Sequence, residues 1–499
     1  MMHKLSTSLA VALAAATLTA LPAAAQSASA GTATQSEDAR LTAFLDAAFE
    51  EYLARQPQLA TRLGLQQGGD RWNDTSEEAA RAEVEWRKAS VAKMRAAFDR
   101  AKLSPEAQVN FDIWALEAER AEVDFANRIY RPPFYSRLYS AHSQLPDFLV
   151  NTHTVADATD LRNYIARLRG MPALLDRAIE RTRASQEAGI KPPRFQIETV
   201  MTGSRKLISG APYGEGPDAA LWADVKAKTA ALVAAGKLPQ AEADTLLGEA
   251  RAAILALAPA YERVIAWAEA SLPDAPSGKV GALTLPGGDD YYAAQLKLVT
   301  TTDMTAQEIH AIGRAEVARI EAEQDALARQ AGLADRHAFY AERARLYPPR
   351  PFDDAARKEY LDESNAFVAR TRSLLGPWFG TLPAYGIEVV REPAFSEVAG
   401  GAAHASAPSP DGARPARTYV HLVGTVPDPA AKYTLMCHEA VPGHNMQGDI
   451  QVRQQGGPKF RSVTGYVAFG EGWALYAEAL CKEMGAFPDI AADFMRLDA

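Results

Sequence analysis

From Asp38 to about Gly376, apolar residues recur at three- and four-residue steps, broken only by short Pro/Gly connectors. That single pattern confines most of the 499-residue chain to helices packed on helices. Leu41, Phe44, Leu45, Ala48, Phe49, Tyr52 and Leu53 form the first stripe. Val84, Val91, Met94 and Phe98 form another within Glu77–Arg100. The stretches Asp157–Ala188, Ala219–Gly236, Gln240–Leu272 and Thr305–Ala331 read the same way. Thr305-Ala306-Gln307-Glu308 has the form of a capping box, in which the Thr and Glu side chains each satisfy the other residue's backbone N–H.

The periodicity changes after Leu382. Ile387–Arg391 and Thr418–Val423 are β-branched runs, which predicts a small sheet. The intervening Ala399–Pro415 is rich in Gly, Ala, Ser and Pro and is expected to be a mobile surface loop. A helix is expected to resume at Asp428 as N-cap, with Pro429 in its first turn. The expected fold is therefore mainly α, with a helical region over 26–380 and a region over 381–499 that combines the sheet with further helices.

The amino terminus reads as a secretory leader over residues 1–25. Lys4 precedes an Ala/Leu-rich run, and Ala23-Ala24-Ala25 supplies the cleavage site. No later apolar run reaches the ~18 residues of a spanning helix. The mature chain is expected to be periplasmic or secreted, with no membrane anchor after cleavage. Net charge is −9 and no basic block occurs, which argues against a nucleic-acid partner. Cys437 and Cys481 are the only cysteines. They are read as two buried free thiols, although export makes a bridge chemically possible.

The chemistry lies in Cys437-His438-Glu439-Ala440-Val441-Pro442-Gly443-His444. Zinc peptidases commonly place His at i and i+4 of one helix with Glu at i+1 as base. Here the second His is at i+6, which would leave the two imidazoles ~120° apart on a regular helix. Pro442 cannot donate to the His438 carbonyl, and Gly443 admits backbone unavailable to other residues. Together they are expected to widen the turn by two residues, so that His444 takes the i+4 role. Glu471 lies 27 residues further on, beyond the turn Gly456-Gly457-Pro458, on a helix expected to return antiparallel. Trp473, Tyr476, Ala477, Leu480 and Met484 are its expected packing stripe, with Tyr476 in the core. Two histidines and one carboxylate leave an open position, as a catalytic zinc site requires.

HEAVPGH followed by Gln447, together with GEGWALYAE, the strand TYVHL and the segment Thr305–Glu323, resembles the bacterial domain-of-unknown-function family 885. That family is similar to helical zinc metallopeptidases of the gluzincin type. The resemblance implies Zn2+ on His438, His444 and Glu471, with Glu439 as catalytic base and a peptide as substrate. It also implies further helices, so the chain is expected to be truncated at its C-terminus.

Weaker assignments complete the expected site. Glu478 would orient a ligand histidine. Thr418–Val423 would be an edge strand that pairs with an extended peptide, presenting Tyr419 and His421 to it and Val420 and Leu422 to the core. Tyr466 and Tyr476 would stabilise a tetrahedral intermediate. Two alternatives stand beside a peptidase: a zinc amidohydrolase acting on non-peptide amides, and a non-catalytic periplasmic binding protein with a vestigial metal site. A di-iron bundle is disfavoured because the chain contains no Glu-x-x-His.

Overall fold

In the computed structural model, which describes residues 36–136, 140–454 and 456–499, local signals set several of the helix starts. Ser76, Ser104 and Asp157 each accept a backbone N–H at the start of Glu77–Ala97, Pro105–Ala126 and Ala158–Glu187. Asp335 and Asp353 do the same for Arg336–Leu346 and Asp354–Ser373. Thr305 and Glu308 form the expected capping box on Ala306–Gln330. The leader assigned to residues 1–25 lies outside the described residues.

The expected continuous helix Gln240–Leu272 is instead two, Gln240–Leu255 and Ala258–Ser271. Pro259 explains the break. It has no N–H to continue the first helix, and it sits in the opening turn of the second, where none is needed.

Three of the four apolar cores among the described residues position the remainder. One surrounds Ala158–Glu187, whose Leu161, Tyr164, Leu168, Met171 and Leu175 meet side chains from Arg194–Leu207, Ala220–Ala234 and the two helices just described. A second gathers Glu37–Arg55, Glu77–Ala97 and Pro105–Ala126, and is closed by Phe460 from the C-terminal region. The third packs Asp354–Ser373 and the sheet against the helices Ala431–Glu439, His444–Val452 and Val467–Glu483. Glu37–Ala499 forms one compact unit. Its last helix, Ile490–Asp498, is capped by Asp489 and stacks Phe494 on Phe339 at 3.9 Å. Among the described residues, no helix is long and apolar enough to cross a membrane.

The sheet has three strands, β1 (Ile387–Arg391), β2 (His404–Ser406) and β3 (Ala416–Val420), in the order β1-β3-β2. β3 pairs parallel with β1 and antiparallel with β2. Three expectations change here. The strand expected at Thr418–Val423 starts and ends earlier. It is central, so neither of its edges is open to an incoming peptide. The expected mobile loop contains β2 and the buried Ser409 and Arg414. Arg414 fixes this segment by donating to Ser406 Oγ and to the Ala407 carbonyl.

The helix expected from Asp428 begins at Ala431. Asp428 accepts the Ala430 N–H in the turn before it, and its carboxylate is held by the Arg343 guanidinium at 2.6 and 2.8 Å.

Candidate metal centre

The first metal-site helix stops at Glu439 and a new one starts at His444. The expected interruption is present, but as a complete break between two helices and not as a widened turn within one. Val441–Pro442 is a cis peptide. Gly443 then passes so close to the end of the first helix that a Cβ there would lie 1.8 Å from the His438 carbonyl oxygen and 2.4 Å from that of Cys437. Any larger residue would push the His444 helix away. Trp473 secures the turn by donating its indole N–H to the Pro442 carbonyl at 2.9 Å.

The helix Val467–Glu483 runs antiparallel to these two. Cys481 lies opposite Cys437, Glu478 opposite His438, and Glu471 opposite His444. Cys437 and Cys481 form a disulfide, which corrects the expectation of two free thiols. Both are buried in the third core, and facing helices bring their Cα atoms to 6.4 Å, within bridging range.

The candidate ligand atoms converge. His438 Nε2 and His444 Nε2 lie 3.4 and 3.5 Å from the same Glu471 oxygen. The two rings are nearly perpendicular, with centroids 4.9 Å apart. One ligand atom from each of the three residues falls within 4.8 Å of the others. The His438 and His444 rings are half-buried, and Glu471 reaches in from an exposed position. These N···O separations exceed an ordinary N–H···O bond. These two separations are those of the edges of a tetrahedron with ~2.1 Å bonds, roughly 3.4 Å, so the three side chains could hold a metal ion between them.

Glu478 is buried, and its carboxylate sits 2.8 Å from His438 Nδ1. This bond assigns the proton to Nδ1 and leaves the Nε2 lone pair facing the cluster. Through the same bond Glu478 raises the pKa of His438, whereas burial lowers that of His444. Glu439 is buried beside His438, and one of its carboxylate oxygens has no hydrogen-bond partner. Burial raises its pKa.

His438, Glu439, His444, Glu471 and Glu478 are thus brought together. Other sequence candidates are placed elsewhere. Thr418 faces the His444 helix and accepts a hydrogen bond from buried Asn445. Its neighbour Tyr419 must therefore point to the opposite face, where it is buried and stacks on His404, its partner across the β2–β3 pair. His421 lies past the end of β3 and accepts the Val398 N–H at Nδ1. Neither presents itself to a peptide at the cluster. Tyr466 precedes the Glu471 helix and lies under the Arg120 guanidinium, 5.1 Å from its ring centre. Tyr476, expected in the core, is exposed; Ala474, Ala477, Leu480 and Cys481 form the buried face instead.

The sequence reading missed Asp449. It is fully buried, accepts the backbone N–H groups of Ala384 and Tyr385, and so ties the approach to β1 onto the His444 helix. An acidic residue five positions past a ligand histidine, in an otherwise polar helix, carries no distinguishing pattern.

The molecule is a mainly α protein with a two-histidine, one-glutamate cluster between antiparallel helices. It belongs to the family described as bacterial protein of unknown function (DUF885), which matches residues 57–499. No curated protein matches the chain. Solved structures similar to it include the following two. One, from Colwellia psychrerythraea and described as a "putative lipoprotein", has a TM-score of 0.77 at 20% identity, covering 93% of this chain and 81% of that one. The other, from Shewanella oneidensis, carries the same description with the addition of unknown function. Its TM-score is 0.56 at 16% identity, covering 92% of this chain and 80% of that one. At these identities the likeness is one of fold.

Proposed function

We propose that the protein is an exported zinc-dependent peptidase that hydrolyses peptide bonds with water. The observation that carries this reading is the convergence of His438 Nε2 and His444 Nε2 on one Glu471 oxygen, at 3.4 and 3.5 Å, with Glu439 buried alongside. Two neutral imidazoles and one carboxylate suit zinc and leave a coordination position open. Zinc in such a site supplies Lewis acidity, acidifying water and polarising a carbonyl.

The chain's own groups supply the rest. Glu478 holds the His438 ring in one tautomer and orientation. Glu439, with a free carboxylate oxygen and a raised affinity for protons, takes the proton from water and returns it to the leaving amine. A purely structural metal site has no use for that buried carboxylate, which favours catalysis over a vestigial binding protein.

Digestion of a peptide library by the zinc-loaded protein tests the reading. Cleavage that stops on chelation and returns with added zinc is expected. Loss of simple amides but no peptides from a mixed panel would instead identify a non-peptide amidohydrolase.

A further inference from the structure

Across the sheet from the metal cluster, on the Tyr419 face, lies a cavity of about 320 Å³. It opens between the helix Arg194–Leu207, the short helix Ala141–Asp147 and the segment that follows β1, and shares no lining residue with the metal cluster. Its volume is at the lower end of the range for small-molecule sites. Two of its lining groups are buried and unsatisfied. His142 is 3% exposed and its Nδ1 has no hydrogen-bond partner. Glu392 is 6% exposed; one oxygen accepts from Ser396 Oγ, while the other has no partner and lies 3.9 Å from His404 Nε2. A buried polar group without a partner is destabilising, so the two side chains mark a place for a polar occupant.

The surrounding backbone is shaped to hold these side chains. A Cβ on Gly203 would lie 2.7 Å from the His142 ring, and one on Gly401 would lie 2.5 Å from that of His421. The charge of the lining is acidic. Glu397 is neutralised by Arg391, Glu198 is paired with Arg194 at 3.9 Å and Asp147 feels the charge of Arg62, which leaves Glu392 as the buried lining carboxylate without a cationic partner of its own. Burial raises the pKa of Asp147 and lifts that of Glu392 to about 7, and it keeps His142 neutral. The interior therefore gains its negative charge only in alkaline solution or when a cation is bound against Glu392. Lys206 and the exposed Thr202 and Phe195 lie on the outer helix that forms the rim.

We propose that this cavity is a second ligand site, which takes the primary ammonium group of a small amine or amino acid against Glu392 and His142. An ammonium supplies the donor and the positive charge that the Glu392 carboxylate lacks, and it can donate to His142 Nδ1 when that ring carries its proton on Nε2. Lys206 gives the rim a partner for a carboxylate, so an amino acid would enter ammonium first.

Calorimetric titration of the whole protein in mildly alkaline buffer tests this, with n-pentylamine, norleucine and the uncharged n-pentanol as probes. The amine is expected to bind and the alcohol is not. Glu392→Gln should weaken amine binding roughly tenfold to a hundredfold. Thr202→Trp, a change at an exposed position that leaves the core intact, should block entry. Norleucine binding that falls in Lys206→Ala while amine binding is kept would identify amino acids as occupants; amine binding alone would restrict the site to amines. The proposal is overturned if neither charged probe binds the parent protein, if n-pentanol binds as well as the amine, or if Glu392→Gln and Thr202→Trp bind the amine as the parent does. Zinc content should be unaltered throughout, which separates failure of this site from failure of the metal centre.

Discussion

Replacing both Cys437 and Cys481 by Ala removes the covalent tie between the helix that carries His438 and the helix that carries Glu471 and Glu478. The bridged residues are 44 apart in sequence. Releasing a loop of that length returns roughly 4 kcal/mol of conformational freedom to the unfolded chain. Unfolding entropy grows with chain length, so for more than 460 residues this corresponds to a Tm lower by only about 4 °C. Zinc held as proposed by His438, His444 and Glu471 would tie the same helices, so the penalty should be smaller in zinc-loaded protein than in chelated protein. The assay begins with exported protein denatured without reductant and alkylated; mass spectrometry should find no adduct, and two after reduction. Thermal melts of parent and double variant, each with and without zinc, then give the four Tm values. Two alkylated thiols in the unreduced sample, together with superimposable melts, would refute the bridge and return both residues to free core thiols.

Gly443→Ala should lose zinc affinity and stability together, because the new methyl cannot share space with the His438 carbonyl; a variant that melts and binds zinc like the parent would contradict the described turn. Glu478→Ala should weaken zinc binding by about 10–100-fold through loss of the bond that orients His438; competition with a fluorescent chelator measures it. His153 is buried against the Arg167 guanidinium, and burial first, then nearby positive charge, pushes its pKa down to about 3. The unfolded chain therefore takes up this proton first: the stability involved is complete above about pH 6.5 and drains as pH falls below it. Urea unfolding between about pH 7 and pH 5 should show this loss, and His153→Gln should flatten it; parallel curves would contradict the assignment.

The convergence of His438, His444 and Glu471 was legible because they fall in two short runs, and because Pro442-Gly443 marks the one place where helical spacing fails. What Pro442-Gly443 does there was less legible: a proline and a glycine signal an interruption, but only the packing of Gly443 on the His438 carbonyl distinguishes a full break from a wider turn. β2 escaped notice because three residues are too few for an alternating pattern to emerge from a Gly/Ala/Ser/Pro segment. Its omission turned the central β3 into an expected edge and placed Tyr419 and His421 in front of a substrate. The pairing of Cys437 with Cys481 depends on which helix faces of the third core meet, a tertiary fact that spacing does not encode. The cavity around His142 and Glu392 was invisible for the same reason, since its walls come from segments some 250 residues apart that carry no shared motif.

The central claim separates a base from a ligand. It is tested most directly by measuring zinc stoichiometry and peptide hydrolysis side by side for the parent, Glu439→Gln and Glu471→Gln. Glu439→Gln should keep about one zinc per chain and lose activity by ~10²–10⁴, the range associated with general acid–base catalysis. Glu471→Gln should lose zinc affinity along with turnover, because a neutral amide is a poorer ligand than a carboxylate. If Glu439→Gln loses the metal while Glu471→Gln retains both metal and activity, the roles assigned to the two carboxylates are wrong.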